Sequence, residues 1–190
     1  MNKENYVVFD IETRKTAQEV EGGWNNIKDF GVAVAVCWHN DLEVFTTHVE
    51  EPTDESGFWD IEALRSFLDQ YPLIVSFNGI NFDYEVLRPY GLKPELLLPK
   101  SFDILAQLKK VLGHRVSLES VAQATLNKGK IADGLEAVRY WKEGKLDAVI
   151  SYCKHDVELT RQIYEFIQNN SFCYYLNFNR EVVRTPMLLE

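Results

Sequence analysis

Cysteine is scarce in this sequence and follows no recognisable pattern. The three cysteines, Cys37, Cys153 and Cys173, are odd in number, lie far apart and form no CxxC pair. Such spacing predicts no framework of disulfide bonds. Because free thiols persist in reducing compartments, we expect the protein to work in the cytoplasm.

Long apolar runs are missing as well, and we expect no leader sequence. No stretch of eighteen apolar residues occurs, so we expect no transmembrane helix and no membrane association. The first five residues lead directly into an apolar strand, without the apolar segment or cleavage site of a signal peptide. Repeats and low-complexity tracts are also lacking, and 190 residues with 46% hydrophobic composition suit one globular core.

Positive charge is in short supply. Lys and Arg number 20 against 29 Asp and Glu, which gives a net charge of −9. Because phosphate binding depends largely on Lys and Arg, this balance argues against tight autonomous binding of nucleic acid. It leaves metal-dependent chemistry open, because bound divalent cations reverse the local sign of a carboxylate cluster and a partner protein can grip the substrate.

The first half of the chain favours β-strands. Short apolar runs rich in β-branched and aromatic residues predict four strands, at Tyr6–Phe9, Gly31–Trp38, Leu42–Val49 and Leu73–Phe77. The polar stretch Thr13–Phe30 contains two adjacent glycines and is predicted to be a loop.

The second half favours helices. Helical spacing predicts them over residues 58–68, 81–90, 101–112, 117–126, 134–143 and 146–167. Ser101 and Ser117 are expected to cap the third and fourth of these, and Gly91 to close the second. The last apolar segments, Phe172–Leu176 and Glu181–Arg184, predict a β-hairpin. This pattern predicts an α/β or α+β fold, with helices on a mixed sheet, divided into a domain of residues 1–170 and a C-terminal extension of residues 171–190.

The first candidate for chemistry is an acidic pair at the end of the first strand. Asp10 and Glu12 are two residues apart, and the period of a strand puts both carboxylates on one face. Burying such a pair is costly unless it is paired or holds a metal ion, and Mg²⁺ prefers oxygen ligands of this kind. On its own the pair is equally explained by two solvated charges where the strand leaves the sheet.

The second candidate follows the fourth predicted strand. That strand runs into Asn78-Gly79, and a helix is predicted to begin near Asn81, which places Asp83 in the first helical turn beside the strand end. An acid there also complements the helix dipole, Asn81 could serve only as a cap, and Asn78 could serve only as a turn residue.

The third candidate lies on the last long helix. Tyr152 and Asp156 are four residues apart and share one helix face with the apolar Val149, Leu159 and Ile163. Taken alone, Tyr152 could simply form a hydrogen bond to its neighbour at the edge of the core.

The three motifs in this order resemble those of the DEDD 3′–5′ exonucleases, in the tyrosine subgroup (DEDDy). Segments Ser101–Leu105 and Ser117–Ala122 support the resemblance, which spans Tyr6–Ile167. The sequence is similar to stand-alone and helicase-associated prokaryotic members and to the proofreading domains of B-family DNA polymerases. The resemblance implies an α/β fold of the ribonuclease H type, a mixed five-stranded sheet flanked by helices.

The same resemblance implies roles for individual residues. Asp10, Glu12 and Asp156 would bind one Mg²⁺ or Mn²⁺ ion. Asp10 would bridge to a second ion, which Asp83 would hold mostly through water, and both ions would clamp the scissile phosphate. Tyr152 would orient the attacking water. Four residues inside or beside the motifs are expected to contact substrate: Ile11, Thr13, Asn78 and Phe82.

One position separates this chain from the histidine subgroup of the same exonucleases. That subgroup carries histidine five residues before the last aspartate, and here the position is Ser151. His155 directly precedes Asp156 on a different helix face and is expected to be a surface residue. Trp24, Phe82 and Trp141 could stack on terminal bases, as aromatic side chains do in single-strand binders.

The sequence therefore predicts a metal-dependent 3′–5′ exonuclease acting on single strands or 3′ ends, with a helicase or a repair or replication protein as partner. DNA is favoured over RNA because the first motif is similar to that of polymerase proofreading domains. Two alternatives stay open: an endonuclease of the ribonuclease H type, and a catalytically silent module that binds nucleic acid or protein.

Overall fold

A six-stranded mixed sheet forms the centre of the computed structural model, which describes residues 5–51, 57–129 and 134–187. Along the chain, its strands are β1 (Tyr6–Thr13), β2 (Val32–His39), β3 (Val44–Val49), β4 (Trp59–Asp60), β5 (Leu73–Ser76) and β6 (Ser101–Asp103). Across the sheet their order is β4-β3-β2-β1-β5-β6. Strands β1, β2 and β3 form an antiparallel meander, whereas β5 and β6 run parallel to β1. The carboxyl ends of β1, β5 and β6 therefore lie at one edge of the sheet.

Seven helices accompany the sheet: α1 (Ala63–Asp69), α2 (Asp83–Leu87), α3 (Pro94–Leu97), α4 (Ile104–Leu112), α5 (Leu118–Leu126), α6 (Gly134–Lys142) and α7 (Leu146–Asn170). They pack against both faces, and each face has its own apolar cluster. Helices α4, α5 and α7 cover one face, and α1 and α2 cover the other. No helix within the described ranges combines the length and apolarity that crossing a membrane requires.

Strand β1 lies between β2 and β5 and is buried on both faces. Its even-numbered residues Tyr6 and Val8 join the cluster beneath α7, while Val7, Phe9 and Ile11 join the opposite cluster. This alternation is the ordinary period of a strand. It also decides which side of the sheet the polar residues near its carboxyl end will face.

A two-stranded hairpin, β7 (Phe172–Leu176) paired with β8 (Val182–Pro186), follows α7. The outer edge of this hairpin forms hydrogen bonds with hydroxyl groups of α5. Ser120 Oγ donates to the carbonyl oxygen of Leu176 and accepts from its N–H, both at 2.9 Å. Thr125 Oγ1 bonds the two backbone groups of Tyr174 in the same way, at 2.8 and 3.0 Å. An edge that would otherwise present unpaired backbone groups is thereby fixed to the helix.

The predicted α/β architecture of the ribonuclease H type and its C-terminal hairpin are confirmed, with one correction to the sheet. The sheet has six strands instead of five, because the two-residue β4 and the three-residue β6 are too short to give a periodic pattern. Part of the predicted helix over residues 58–68 forms β4, and helix α1 begins only at Ala63. The helix predicted from Asn81 to Tyr90 is reduced to α2 and a 3₁₀ turn.

The predicted caps have different outcomes. Ser117 caps α5 by accepting a hydrogen bond from the N–H of Ser120. Ser101 was predicted to cap α4, but it belongs to β6, and Asp103 takes the capping position. The error arises because Ser and Asp are both favoured caps, and only the pairing of residue 101 with Ile74 on β5 extends the strand through it. Gly91, in a left-handed conformation, closes the 3₁₀ turn after α2.

Candidate active site

The carboxyl end of β1 presents the first acidic pair to α7. Asp10 and Glu12 continue the row of Tyr6 and Val8, which faces the cluster under that helix. Glu12 is buried and Asp10 is half-buried. The register with β2 shifts between Glu12 and Thr13, so the pair lies where the regular ladder ends. Two carboxylates thus occupy the end of an otherwise apolar strand face.

Helix α7 packs against this pair through Cys153. The Cys153 thiol donates to the backbone carbonyl oxygen of Asp10 at 3.3 Å and lies 3.8 Å from Asp10 Oδ2. Tyr152 and Asp156 are both buried on the same helix, four residues apart and hence on one face. The contact at Cys153 therefore holds the tyrosine–aspartate face of α7 near the acidic strand end.

The pKa of the Cys153 thiol reflects the four acids that lie near it. Its pKa is raised well above its ordinary value, chiefly by burial and then by the charges of Asp10, Glu12, Asp156 and Asp83. Each of these carboxylates is near enough to disfavour a thiolate at this position. The thiol is therefore held as a neutral hydrogen-bond donor among acids.

Asp83 joins the site from the far side of β1. It is the first residue of α2 and is buried, and its Oδ1 accepts a hydrogen bond from the N–H of Ile11 at 3.2 Å. The pKa of Asp83 is raised to about 7, chiefly by burial and also by the nearby charge of Asp103, while backbone hydrogen bonds act in the opposite direction. The bond to Ile11 fixes the second acidic motif directly to the strand that carries the first.

The conformation of the turn between β5 and α2 determines the position of Asp83. Asn78 has a positive φ of 73°, and a Cβ on Gly79 would lie only 2.7 Å from the Cβ of Ser76, so only glycine fits there. The buried carboxylate of Asp103 accepts hydrogen bonds from the N–H groups of Asn78 and Ile80, at 2.9 and 3.1 Å. A residue at the end of β6 thus fixes the conformation of the neighbouring turn.

The donor set fits a hard divalent cation. Ligand atoms of Asp10, Glu12 and Cys153 lie within 4.8 Å of one another, and the charges of Asp83 and Asp156 reach the same thiol. Carboxylate oxygens are the ligands that Mg²⁺ and Mn²⁺ prefer, and buried acids of like sign need a cation to balance them. The Cys153 thiol donates a hydrogen bond to the backbone carbonyl oxygen of Asp10 and is not required as a ligand.

A groove of about 490 Å³ opens beside Glu12. All four residues predicted to contact substrate line it: Ile11, Thr13, Asn78 and Phe82. Trp24, which is 67% exposed, forms part of the wall, and its ring lies 6.0 Å from that of Phe82. Val138 of α6 lines the groove as well. The groove therefore offers aromatic surface next to the acidic cluster.

Other candidates lie outside the groove and the acidic cluster. Ser151 and His155 line a separate hollow with Trp38 and Phe45, and His155 Nε2 is 3.2 Å from the carbonyl oxygen of Gly129. His155 is half-buried, so it is less exposed than the sequence suggested. Trp141 lies under the guanidinium group of Arg14 at 4.9 Å and does not line the groove.

Sequence reasoning missed two residues that shape this site. Cys153 stands inside the third motif, and the four-residue spacing of Tyr152 and Asp156 gave no reason to assign it a contact with Asp10. Asp103 caps α4 by accepting a hydrogen bond from the N–H of Ala106, but capping is only part of its role. Its bonds to the turn after β5 cross more than twenty positions of sequence, so no local pattern reports them.

Comparison with known proteins identifies the superfamily to which the fold belongs. Residues 7–168 match the family model of the RNase_H superfamily. DNA polymerase 1 of Aeropyrum pernix is 34% identical over 188 residues, an alignment that covers 83% of this chain and 19% of the polymerase. The family B DNA polymerase of the hyperthermophilic archaeon Pyrobaculum calidifontis has a similar fold, with a TM-score of 0.62 and 14% identity over 87% of this chain and 24% of that one. This chain thus spans about a fifth to a quarter of each polymerase, and its family match over most of its length shows that it belongs to the ribonuclease H superfamily.

Proposed function

We propose that this protein is a metal-dependent 3′–5′ exonuclease that hydrolyses terminal phosphodiester bonds of nucleic acid. The observation that carries the proposal is the gathering of Asp10, Glu12, Asp83 and Asp156 around Cys153, next to a groove with an aromatic wall. A phosphodiester needs cations to offset its charge, and carboxylates of this kind supply their ligands. The neighbouring groove has room and stacking surface for a nucleotide.

The relatives favour DNA as the substrate. Both are DNA polymerases, and each matches this chain over only part of its own length. Such a partial match is expected if this chain corresponds to one domain of the polymerases, with a chemistry separate from that of their other domains. We therefore expect degradation of DNA ends to be faster than that of RNA ends.

The acids have distinct tasks in this proposal. Asp10, Glu12 and Asp156 would hold one divalent cation, and Asp10 and Asp83 would hold a second. When bound, Mg²⁺ or Mn²⁺ ions would supply positive charge for the scissile phosphate and for the leaving 3′ oxygen. The hydrogen bond from Ile11 to Asp83 would keep that carboxylate aimed at the strand end.

Tyr152 would act on the attacking water. It is buried one helical turn before Asp156, so its hydroxyl would share the helix face that approaches the acidic pair. A fixed hydroxyl can orient a water molecule for in-line attack on phosphorus without itself changing charge. His155 would have no part in this step because it lines a different hollow.

Linear and circular single-stranded DNA of the same sequence separate the candidate activities. We expect the linear strand to be degraded to mononucleotides with Mg²⁺ or Mn²⁺ and the circle to remain intact. A phosphorothioate linkage at the 3′ end should block the reaction, whereas the same linkage at the 5′ end should not. Asp10→Asn, with a carboxamide of matched size, is the control for a contaminating nuclease.

Each other outcome points to a different activity. Cutting of the circle would replace the proposal with an endonuclease of the ribonuclease H type. Binding of both strands without cleavage would identify a catalytically silent module. Faster degradation of matched RNA would overturn the preference for DNA and leave the exonuclease assignment in place.

The proposal also includes the cellular compartment and a partner protein. The three cysteines are buried free thiols, which suits a reducing cytoplasm. The net charge of −9 is unfavourable for gripping a polyanion, so we expect a helicase or another repair or replication protein to deliver the 3′ end.

A further inference from the structure

A second hollow lies between the beginning of α5 and the tip of the C-terminal hairpin. It has a volume of about 190 Å³ and is lined by residues 114–117, Ser120 and residues 175–178, which we call the hairpin-tip surface. Arg115 lines this hollow and also lines the groove beside Glu12. One exposed guanidinium group therefore connects the candidate active site with the hairpin.

Aromatic rings form a short row along the hairpin-tip surface. The imidazole ring of His114 lies between two of them, 6.1 Å from Tyr175 and 5.9 Å from Phe178. Tyr175 is buried, but Phe178 is 94% exposed. An aromatic ring exposed to this extent is open to stacking on a nucleobase.

The tip of the hairpin presents Phe178 from an ordered turn. Asn177 Oδ1 accepts hydrogen bonds from the N–H groups of Asn179 and Glu181, at 2.9 and 3.0 Å. Arg180 donates its N–H to the carbonyl oxygen of Asn177 at 2.9 Å. Behind the tip, Ser120 fixes the end of β7 to α5. Little conformational entropy would be lost when such a ring meets a ligand.

One segment near this surface is basic although the full chain carries −9. Residues 104–118 contain three cations and no Asp or Glu, but Glu119 follows directly. Glu181 accepts a hydrogen bond from the side chain of Asn177 at the hairpin tip, at 2.8 Å. Among the residues that line the hollow, Arg115 is therefore the cation placed to attract a phosphate group.

We propose that the hairpin-tip surface binds the single nucleic-acid strand on the 5′ side of the nucleotides in the active-site groove. Arg115 contacts the phosphate backbone where the strand passes from the groove to the hairpin, and Phe178 stacks on a base farther along. This inference rests on the proposed nuclease function. It gives the C-terminal hairpin a role in holding substrate.

Substrate length provides the test. Phe178→Ala and Arg115→Gln would be compared with the wild type on a long single-stranded oligonucleotide and on a dinucleotide, which is too short to reach the hairpin. We expect each variant to raise KM for the long strand by about fivefold to a hundredfold, the usual range for one lost base stack or phosphate contact. For Phe178→Ala, which lies outside the groove beside Glu12, the kcat for the long strand and all rates on the dinucleotide should stay as in the wild type. Arg115 also lines that groove, so Arg115→Gln is compared by its KM for the long strand alone. Leu42→Ala and Arg65→Ala, at exposed positions in a turn and on α1, are matched controls.

The possible results distinguish this inference from the function on which it rests. If Phe178→Ala and Arg115→Gln degrade the long strand with wild-type KM, the hairpin-tip surface does not bind substrate. If Phe178→Ala loses activity on the dinucleotide as well, it acts on the active site itself and the inference is wrong. A wild type that degrades neither substrate would instead overturn the proposed function.

Discussion

Two buried polar regions lie at opposite ends of β1, and they are built on opposite principles. At its carboxyl end is the acidic centre, defined by Asp10, Glu12, Asp83 and Asp156. Near its start, where Val7 pairs with the last residue of β2, is a histidine network formed by His39, Thr46, His48 and Tyr71. The first gathers groups of like charge. The second joins neutral groups through complementary hydrogen bonds and borders one acid, Asp41, whose carboxylate accepts from the Tyr71 hydroxyl at 2.8 Å.

Every link of the histidine network is a hydrogen bond of ordinary length. His39 contacts the hydroxyl of Tyr71 through Nδ1 and that of Thr46 through Nε2, both at 2.8 Å. Thr46 also contacts His48 at 3.2 Å, and His48 Nδ1 lies 3.2 Å from the carbonyl oxygen of Asp60. The network thereby connects β2, β3 and β4 to the end of α1, and its role is structural.

The contrast separates polar burial that stabilises a fold from polar burial that costs stability. A neutral, fully bonded network recovers most of the desolvation penalty of its groups. Four acids around one thiol do not recover this penalty, because their like charges repel one another. Such destabilising clusters persist where function requires them. Substitutions in the acidic centre should therefore abolish activity and preserve the fold, and substitutions in the histidine network should do the reverse.

The largest effect is expected at Asp156. Asp156→Asn keeps the size of the side chain and removes a charge that binds metal, so activity should fall by on the order of a thousandfold or more. Loss of one repelling charge should leave the melting temperature of the metal-free protein unchanged or a few degrees higher. Initial rates and thermal unfolding in EDTA measure both. The control is Asp147→Asn, an exposed acid in the first turn of the same helix. Near-normal turnover of Asp156→Asn would exclude Asp156 from the site.

A smaller loss is expected at Tyr152. Tyr152→Phe removes one hydroxyl and keeps the ring in its buried position, so a role in orienting water predicts a rate lower by about tenfold to a thousandfold. Binding of a single strand should change little. His155→Ala should have nearly normal rates, because His155 lines another hollow. Initial rates on a 3′-overhang substrate compare the two variants, and a crippled His155→Ala with an active Tyr152→Phe would reverse the assignment.

The sequence predicts the acidic centre better than the rest because its signals are local. Strand alternation places Asp10 and Glu12 on one face, and helix periodicity does the same for Tyr152 and Asp156. The structure brings these faces together, and their catalytic roles stay predictions. The histidine network has no such signal: its members are spread over residues 39–71, and only strand pairing and the packing of α1 bring them together.

Short elements and long-range bonds account for the remaining differences. Strand β4 is two residues long, so neither alternation nor length could reveal it. Strand β6 was hidden by the preference of Ser101 for helix caps, and its true position depends on pairing with β5. The control of the Asn78 turn by Asp103 is also a product of that pairing, because parallel neighbours bring their carboxyl ends together.

The two regions should respond to pH in opposite directions. Burial lowers the pKa of His48 to about 4, so between about pH 6.5 and 4 the unfolded chain binds a proton that the folded chain excludes, and stability falls with falling pH. The pKa of Asp83 is raised to about 7, so the folded chain binds the extra proton below that pH and stability rises as pH falls. In the wild type without metal these two contributions oppose each other.

Single substitutions should separate the two contributions. Asp83→Asn should leave the histidine contribution, so stability decreases by up to about 1.4 kcal/mol for each pH unit lost between about pH 6.5 and 4. His48→Asn should leave the acidic contribution, and its stability should increase over the same interval. Urea unfolding in EDTA across this range gives both slopes. Parallel slopes in the two variants would show that other groups control the pH dependence.

The smallest effect is stabilisation by metal, and it should belong to the acidic centre alone. A ligand that binds only the folded state stabilises it by mass action, about 1.4 kcal/mol at ten times its dissociation constant. For a chain of this size such a gain raises the melting temperature by roughly 3–5 °C. Mn²⁺ should therefore raise the melting temperature of the wild type and of His48→Asn by similar amounts. Asp10→Asn should show little or no rise, because it lacks the carboxylate proposed to contact both ions. If Asp10→Asn gains as much as the wild type, the ions bind elsewhere and the acids at the end of β1 need another explanation.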